Sequence, residues 1–410
     1  MSLTLLTGAR LWDPDSGAVD EDVSLLIEDG VIREVSVRPI KAETARRIEA
    51  KGRFVLPGLI DAHVHVTANA KDLNELARLS PYLVAARAKS VLESMLMRGF
   101  TTVRDAGGAD RGLARAVEEG HFDGPRIFVS GLALARHGGH GDYRRSEEES
   151  IGCPVCRGFR SITRLVEDEG AIRAAAREER HSGADQLKIM ASGGLGSDKA
   201  LEDCFFSSAE IAAAVEVASA TGSYVMAHAY ESRAVGRCVE AGVHSIEHGT
   251  LIDSGTAALM ADRGSFLVPT LGVFPALREQ ARAEGAAQAR IDRLEALLQR
   301  SLAGLDTARS AGVAIGHGSD QEGASQHLQS LEFAVRSVVM SPRECLRAAT
   351  VTNARIMGLE ADLGRLEPGR CADLLVVDGN PLDDIAVLAE PERHLRLIMK
   401  DGRCFKNELG

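Results

Sequence analysis

A helical pattern that ends at a glycine and is followed by a short apolar run recurs through the middle of this chain. Glycine just past the end of a helix is a C-cap, and the apolar, β-branched run after it indicates the start of a strand. Alternation of helix and strand in this way favours parallel strand pairing. Seven such units are present, and they follow the glycines at these positions: Gly99, Gly124, Gly183, Gly222, Gly242, Gly264 and Gly312.

An eighth strand is predicted ahead of these units, in the segment RFVLPGLIDAHVHV at residues 53–66. Eight strand–helix units spread over about 300 residues fit a (β/α)8 barrel of the TIM type. The alternative for a series of this kind is an open, doubly wound sheet. The barrel is preferred because the polar residues described below fall at the ends of its strands. The predicted fold class is therefore α/β.

The two ends of the chain follow a different pattern, in which apolar and polar residues alternate. The segments LTLLTGARLWD and RLIMKDGRCFKNEL are examples, and EDG and KDG are hairpin-turn signals within such segments. We expect the two ends to join as one small β-sandwich. The predicted domains are residues 1–57 with 361–410 for the β-sandwich and residues 58–360 for the barrel.

Composition excludes several classes of partner. The 410 residues carry a formal net charge of −11, which argues against a nucleic-acid-binding protein. No apolar run is long enough to span a membrane, and the first residues, MSLTLLTGARLWDPDSG, lack the layout of a signal peptide. The expected location is the cytoplasm, with neither nucleic acid nor membrane as a partner.

The cysteines give no framework for disulfide bonds, since the seven of them are scattered along the chain. Cys153 and Cys156 form the one C-x-x-C pair. Two thiols are half of what a structural zinc site requires, so ordinary thiols or loop packing are expected there.

Polar side chains collect at the carboxyl ends of the predicted strands, where the active site of a barrel lies. His63 and His65 are two residues apart in the first strand, so their side chains face the same way. Imidazole and carboxylate groups together suit zinc or a similar divalent ion. The remaining strand-end candidates, from strands four, five, six and eight, are Lys188, His228, His248 and Asp320.

Lys188 raises a question of its own, because it lies between Leu187 and Ile189 in a run that is typical of a buried strand. A buried, unpaired ammonium is costly, and such a group usually shifts its pKa or finds a partner. Its place among the other strand-end groups suggests that it takes part in the same site.

The motifs on these strands resemble the amidohydrolase superfamily over almost the whole chain. The segments that carry the resemblance are VLPGLIDAHVH, AHAYESRAVGRCVEAGVHSIEHGT, GSD and TVTNARIMGLEADLGRLEPGRCADLLVVDGNPL. Within the superfamily, TTVRDAGG, HGGHGD and LKIMASGG resemble the imidazolonepropionase-like and Xaa-Pro dipeptidase (prolidase-type) group. The residue before Asp320 is Ser319, where many relatives have threonine, and this leaves the aspartate in place.

The resemblance implies two zinc ions, or similar divalent metals, in each chain. It further implies that Lys188 is carboxylated to a carbamate that bridges them. The more buried metal would be held by His63, His65, Lys188 and Asp320. The more exposed metal would be held by Lys188, His228 and His248.

The chemistry expected of such a site is hydrolysis of an amide by a hydroxide that bridges the metals. Asp320 would act as general base on the attacking hydroxide and then as general acid toward the leaving amine. His140 and Tyr230 are the further catalytic candidates, because each could donate a hydrogen bond to the substrate carbonyl.

The most specific function that these patterns predict is a dipeptidase that cleaves Xaa-Pro or related dipeptides, or N-acyl amino acids. The alternative within the same class is an imidazolonepropionase-like hydrolase of cyclic amides. A distant alternative is a non-catalytic relative that acts in assembly. The expected partner is a small-molecule substrate, and association into a homo-oligomer is left open.

Two secondary expectations concern neighbours of the ligands. Arg104 and Asp105 close the second strand, and a structural ion pair at the barrel rim is the favoured interpretation. For His317, three residues before Asp320, a supporting role beside the metal ligands is the less favoured of two interpretations.

Overall fold

The computed structural model describes residues 2–70, 73–76, 78–144, 161–195, 197 and 199–409. Cys153 and Cys156 lie outside the described residues. The strands β1 to β17 are Leu3–Trp12, Val19–Glu28, Val31–Ser36, Arg46–Glu49, Phe54–Pro57, Leu59–Val64, Phe100–Asp105, Arg126–Phe128, Ala133–Arg136, Thr163–Val166, Leu187–Met190, Val225–Glu231, Ser245–Leu251, Phe266–Val268, Leu374–Val377, Leu395–Lys400 and Arg403–Asn407.

The described α-helices, α1 to α13, lie mostly between the strands of the middle region. They are Leu73–Leu76, Pro81–Met97, Arg111–Glu118, Glu169–His181, Ser208–Ala220, Ser232–Glu240, Ser254–Arg263, Val273–Ala283, Gln288–Ser310, Leu331–Arg336, Pro342–Arg347, Asn353–Ile356 and Pro391–His394. Short 3-10 helices span Gly323–Leu328 and Ile385–Leu388, and a π-helical turn spans Ala348–Thr352. No described helix has both the length and the apolar character needed to cross a membrane.

The two ends of the chain share one eight-stranded sheet, which confirms that they join. Its order is β17-β16-β15-β5-β1-β2-β3, and β4 pairs with β1. The join is the antiparallel pair of β5 and β15, in which Leu56 faces Leu375. The strands connect through hydrogen bonds into one sheet, in which β1 pairs with β2 on one side and with β4 and β5 on the other. Buried apolar residues from both halves of this sheet share one core, and the β-sandwich stays a prediction.

The middle region consists of parallel strands with intervening helices, so the α/β class is confirmed. One parallel sheet has the order β6-β7-β8, and the other has the order β10-β9-β11-β12-β13-β14. All six residues of β6 are buried, as is typical of a strand covered on both faces. The glycine pattern also holds at the end of α7, where Gly264 has a φ of 66° and caps the helix.

Backbone hydrogen bonds connect the two parallel sheets at two places. The first place joins the end of β8 to the start of β11, where Asp185 N donates to Val129 O at 2.7 Å. After β14, Gly316 N donates to Leu267 O at 2.8 Å, and Ala62 N of β6 donates to His317 O at 2.9 Å. The segment around residues 314–317 therefore lies between β14 and β6.

The predicted eighth strand is shorter than expected, since it is reduced to a parallel bridge between Ile315 and Leu267. Gly318 allows this segment to pack closely against neighbouring residues. A Cβ on Gly318 would lie 2.4 Å from Cγ1 of Val268 and 2.7 Å from Cβ of His63. Only a residue without a side chain allows this segment to carry Asp320 up to the end of β6.

Candidate metal centre and active site

Three of the predicted ligands converge at the end of β6. Nε2 of His63 and Nε2 of His65 lie 3.4 and 3.5 Å from Oδ1 of Asp320. Two donor atoms that bind one zinc ion tetrahedrally, each at about 2.0–2.1 Å, are about 3.3 Å apart. The observed separations match this spacing, so His63, His65 and Asp320 could hold one metal ion.

The other ring nitrogens of the two histidines are fixed by acceptors. Nδ1 of His63 lies 2.7 Å from Oε2 of Glu247, and Nδ1 of His65 lies 3.0 Å from the carbonyl oxygen of Gly107. A carboxylate and a carbonyl only accept hydrogen bonds, so Nδ1 carries the proton in both rings. Each Nε2 is left with a lone pair directed at the common point, which is the arrangement of metal-binding histidines.

Lys188 lies beside these groups and is 1% exposed. Its Nζ is 3.4 Å from Nε2 of His63. Burial lowers the pKa of Lys188 to about 8, although the charges of Glu247 and Asp320 oppose the shift. The shift raises the fraction of neutral amine near pH 7, and the neutral amine is the form of lysine that reacts with electrophiles.

His228 and His248 form the other side of the cluster. Their ring centroids are 4.5 Å apart, and that of His248 is 5.1 Å from that of His63. Nε2 of His228 lies 2.9 Å from Gly193 O, and Nδ1 of His248 lies 2.7 Å from the Thr270 hydroxyl. All four predicted histidine ligands and Lys188 therefore meet in one place with Asp320, whose Oδ2 is 3.8 Å from Nδ1 of His248.

Burial keeps these imidazoles neutral. Desolvation, followed by the charge of Lys188, lowers the pKa of His65 to about 3. The same two effects lower the pKa of His63 well below its usual range, and desolvation is also the largest cause for His228 and His248. Since a histidine must be neutral to bind a metal, the ring nitrogens are available at neutral pH.

The backbone is strained at three residues of the site. His248, Thr270 and Asp320 have φ values of 70°, 50° and 51°, in the left-handed region that residues other than glycine rarely adopt. Such conformations cost of order 1–3 kcal/mol each and cluster at functional sites. The strain therefore marks the same region as the convergence of ligands.

His140, which the sequence singled out as a catalytic candidate, lies against the cluster. Its ring stacks on His228 with centroids 4.3 Å apart, and its buried Nδ1 has no hydrogen-bond partner among the described residues. Space for the ring depends on Gly194, since a Cβ there would lie 2.5 Å from Cε1 of His140. Burial, with the charge of Lys188, lowers the pKa of His140 to about 4.

Tyr230 also lies at the cluster, and its ring stacks on that of His248 with centroids 4.9 Å apart. Desolvation raises the pKa of Tyr230 well above its usual range, and the charges of Asp320 and Glu322 act in the same direction. The phenol therefore keeps its proton and can donate it in a hydrogen bond.

A comparison with known proteins places this site in a family. The model described as the amidohydrolase family matches residues 54–404, which is most of the chain. The chain belongs to the amidohydrolase family. A crystal structure described as an amidohydrolase is 44% identical, with a TM-score of 0.95 and full coverage of both chains (100%). A prolidase crystallised with N-methylphosphonate-L-proline is 40% identical, with a TM-score of 0.95, and covers 99% of this chain and 100% of its own.

The ochratoxinase of Aspergillus niger is a further relative of this chain. It is 30% identical over 421 residues, which are 97% of this chain and 86% of the relative. Together these findings confirm two predictions, the superfamily and an enzyme that hydrolyses amide bonds. Amidohydrolases act on small molecules and generally use divalent metal ions, as the site geometry of His63, His65 and Asp320 allows.

The supporting residues of the site were partly missed from the sequence. Glu247 is fully buried and binds Nδ1 of His63 through Oε2, while its Oε1 accepts hydrogen bonds from Arg104 and Ser245 at 2.9 and 2.7 Å. A charged residue inside the buried strand SIEHG was the available signal, and it is the same signal that singled out Lys188.

The predicted ion pair between Arg104 and Asp105 is wrong. Successive residues of a strand face opposite sides, so the two side chains diverge. Arg104 is directed to Glu247, whereas the carboxylate of Asp105 accepts hydrogen bonds from the backbone N–H groups of Val66, Gly107 and Ala109. Asp105 therefore fixes the loop whose carbonyl orients His65.

His317 lies away from the ligands. Its ring packs between Phe100 and Phe333, with centroids 5.7 and 4.4 Å away, and neither ring nitrogen has a partner among the described residues. The structure does not support a role for His317 beside the metal ligands, which was the less favoured interpretation, because its side chain faces an aromatic cluster. The backbone carbonyl of His317 instead binds Ala62 of β6.

The cluster opens into a cavity of about 1390 Å³. Besides the predicted residues, its wall includes Tyr143 and Glu322, which sequence reasoning did not single out. Helices α8 and α9 supply an outer wall through Val273, Leu277 and Leu294. The volume exceeds the usual range for a drug-sized ligand, so the cavity is large enough for a small amide.

Proposed function

We propose that this protein is a binuclear zinc-dependent hydrolase that cleaves Xaa-Pro or related dipeptides, or N-acyl amino acids. One observation carries the proposal. The six proposed ligands line a single cavity at the ends of parallel strands, and they are His63, His65, Lys188, His228, His248 and Asp320. In addition, His140 and Tyr230 line the same cavity beside them.

We infer that the parallel strands close into a (β/α)8 barrel, with residues 58–360 as its domain. The support is the pair of connections at Val129–Asp185 and at Ala62–His317, which link the two parallel sheets on both sides. In a closed barrel the strand ends form a ring, and side chains from distant parts of the sequence meet there.

The proposed metal sites follow from the donor geometry. The more buried metal would be held by His63, His65 and Asp320 with Lys188, and the more exposed metal by His228 and His248 with Lys188. Lys188 joins the two sets if its neutral amine is carboxylated. When bound, the metals would supply a nucleophile near neutral pH and polarise the scissile carbonyl.

The chain's own residues then move the proton. Asp320 is proposed to accept the proton of the attacking water on its carboxylate and to deliver it to the leaving nitrogen. An amine is a poor leaving group until it is protonated, so both transfers are needed. The placement of Asp320 between the His63 and His248 sides of the cluster supports this role.

His140 and Tyr230 are proposed to hold the substrate carbonyl. Both rings stack on proposed ligands of the more exposed metal, His228 and His248. Neutral His140 and the protonated phenol can each donate a hydrogen bond to the oxygen that becomes negative in the transition state. The prolidase crystallised with N-methylphosphonate-L-proline supports proline as the leaving side.

The test combines metal analysis with a substrate screen. Protein purified after growth with zinc should contain about two zinc ions per chain. It should hydrolyse members of a library of dipeptides and N-acyl amino acids, with a preference for C-terminal proline. Less than one zinc per chain, together with no turnover of any amide, would refute the proposal. Turnover of cyclic amides alone would replace the dipeptidase by the cyclic-amide alternative.

Lys188→Ala is expected to give a folded protein with little metal and almost no activity. Short carboxylic acids should restore part of the activity, because they can replace the bridging carboxylate of the carbamate. The matched control is Lys400→Ala, since Lys400 is also buried and donates from Nζ to Gly124 O, away from the proposed ligands. Full activity of the Lys188 variant would exclude the bridging role.

A further inference from the structure

A second cavity, of about 380 Å³, lies where the parallel strands meet the terminal sheet, which is the eight-stranded sheet formed by the two ends of the chain. Arg126 at the start of β8 and Asp185 just before β11 contribute to its wall from the parallel-strand region. Lys400 of β16 and Phe405 of β17 contribute from the terminal sheet. The proposed metal ligands line the other cavity, and the two cavities share no described wall residue.

Most of the charged side chains in this wall compensate one another. Each arginine of the described wall forms an ion pair with a carboxylate of the same wall. The pairs are Arg111–Glu118, Arg126–Asp401 and Arg403–Asp123. These side chains therefore leave no charge that a ligand must balance.

Lys400 is the exception among the positive charges. It is 8% exposed, and its Nζ donates to Gly124 O at 2.9 Å. It forms no ion pair with any described residue, although a buried charge is costly without an opposite one. An ammonium group has several N–H donors, so Lys400 can still bind an anionic group in the cavity.

Asp185 is the exception among the negative charges. Its Oδ2 accepts a hydrogen bond from Val129 N at 2.8 Å, and within the described part of the chain it has no cationic side chain as an ion-pair partner. The wall thus contains one positive and one negative side chain without a counter-charge. A zwitterion is the kind of ligand that matches both.

Much of the remaining wall is apolar. Its apolar side chains include Val117, Phe122, Ile127 and Phe405. Burial of an apolar group against them would add to the affinity of a ligand. The cavity volume falls within the range of about 300–1,000 Å³ that is typical of small-molecule sites. A free α-amino acid with an apolar side chain combines these features with the two charges.

We propose that this cavity binds such an amino acid, with its carboxylate at Lys400 and its ammonium at Asp185. Because the wall comes from two parts of the fold, the bound amino acid would hold them together and stabilise the folded protein. The site lies apart from the metal centre, so the inference goes beyond the proposed hydrolysis and does not rest on it.

The test is calorimetric titration of the zinc-loaded wild type with three probes. They are L-phenylalanine, phenylpropionate, which lacks the ammonium, and phenethylamine, which lacks the carboxylate. L-Phenylalanine should bind, and each of the other two should bind at least about tenfold more weakly, as expected for loss of a charge-assisted contact. At about ten times its Kd, L-phenylalanine should also lower the ratio of unfolded to folded protein by roughly tenfold.

Substitutions locate the binding site. Lys400→Met and Asp185→Asn should each weaken the binding of L-phenylalanine by about tenfold or more. Asparagine keeps an oxygen that accepts the hydrogen bond from Val129 N. The matched control is Lys406→Met on β17, since Lys406 pairs with Glu408 at 3.4 Å and lies outside the described wall. Its Kd should stay within about twofold of the wild type.

An amino acid is also a product of the proposed reaction and can bind at the metal centre, so Lys188→Ala serves to separate the two sites. Binding that persists in Lys188→Ala and is lost in folded Lys400→Met is the expected result. The reverse pattern would place the amino acid at the metal centre and overturn the inference.

The probes decide the matter even if the variants fail to fold. A wild type that does not bind L-phenylalanine, or that binds phenylpropionate equally well, would overturn the inference. Hydrolysis of dipeptides is measured separately at the metal centre, so each of these results leaves the proposed function intact.

Discussion

Two arginine–glutamate pairs in the described part of the chain are fully buried, and their surroundings differ. In the first, Arg104 donates to Oε1 of Glu247 at 2.9 Å, and Oε2 of Glu247 holds the imidazole of His63. In the second, Arg336 donates to Oε1 of Glu332 at 3.0 Å, and Oε2 of Glu332 accepts the backbone N–H of Gly272 at 2.6 Å. Both pairs have no exposed side-chain surface.

The two pairs show that a buried arginine–glutamate ion pair can have different roles in the same protein. Burial is the largest single effect on the pKa of Arg104 and lowers it, but the charges of Glu247 and Tyr224 and the hydrogen bonds to them together outweigh burial, so the net shift is upward. That pair fixes the ring of a proposed ligand, whereas the Arg336 pair fixes backbone at Gly272 and Gly316. Loss of the Arg104–Glu247 pair should therefore weaken metal binding. Loss of the Arg336–Glu332 pair should change only the stability of the fold.

The largest expected effect belongs to Glu247→Gln. Loss of the acceptor for Nδ1 of His63 should weaken metal binding by about tenfold to a hundredfold. The unpaired Arg104 should also lower the free energy of unfolding by about 3–5 kcal/mol. Metal titration of the folded variant measures the first effect, and denaturant unfolding measures the second. Unchanged metal affinity would show that this pair is structural, like the pair of Arg336.

A smaller effect is expected for Thr270→Val, which removes the hydroxyl that lies 2.7 Å from Nδ1 of His248. Metal affinity at the more exposed site should fall by about tenfold, at the lower end for supporting residues. The control is Thr250→Val on β13, because the buried hydroxyl of Thr250 has no hydrogen-bond partner among the described residues. Equal losses in the two variants would argue against a role for Thr270 in orienting His248.

The smallest effect on activity is expected for Glu332→Gln, whose kcat/KM per folded molecule should stay within about twofold. Its effect should depend on pH instead. Burial raises the pKa of Glu332 from its ordinary value of 4.5 to about 7, although the charge of Arg336 opposes the shift. The folded state thus binds the proton more tightly than the unfolded state, and stability falls as pH rises from 4.5 to 7.

Glutamine cannot titrate, so the stability of the wild type relative to this variant should decrease by about 3 kcal/mol across that pH window. Denaturant unfolding at pH 4.5, 6 and 8 measures it. Parallel curves for the two proteins would show that Glu332 keeps an ordinary pKa in the folded state. A large loss of activity in Glu332→Gln would contradict the interpretation that the Arg336–Glu332 pair serves the fold and not the active site.

The parts of the site that follow from periodicity could be predicted. His63 and His65 are two residues apart in a strand, and Lys188, His228 and His248 stand in or at the end of apolar runs, so their positions follow from the local sequence. The supporting pair could not be predicted, because Arg104 and Glu247 belong to strands that are distant in sequence. Their contact depends on the register of β7 and β13 around the sheet, which no local pattern encodes.

The fold shows the same limit. The glycine-capped units identified the parallel strands, and the alternating ends identified the terminal sheet. The terminal sheet's connection through β1 depends on its pairing with β2 and β4, and the segment after Gly312 depends on close packing of Gly318 against Val268 and His63. Such contacts become visible only in three dimensions, since they involve residues from opposite parts of the chain.

The backbone contacts between the first and last parallel segments have a consequence for synthesis. Asp320 N donates to His63 O at 2.9 Å, so the earliest and the latest of the proposed ligands are neighbours in space. While the chain is being translated, the histidines of β6 emerge long before Asp320. A nascent chain therefore has an incomplete donor set until most of the protein has left the ribosome. Tight retention of metal would then report that translation has passed Asp320.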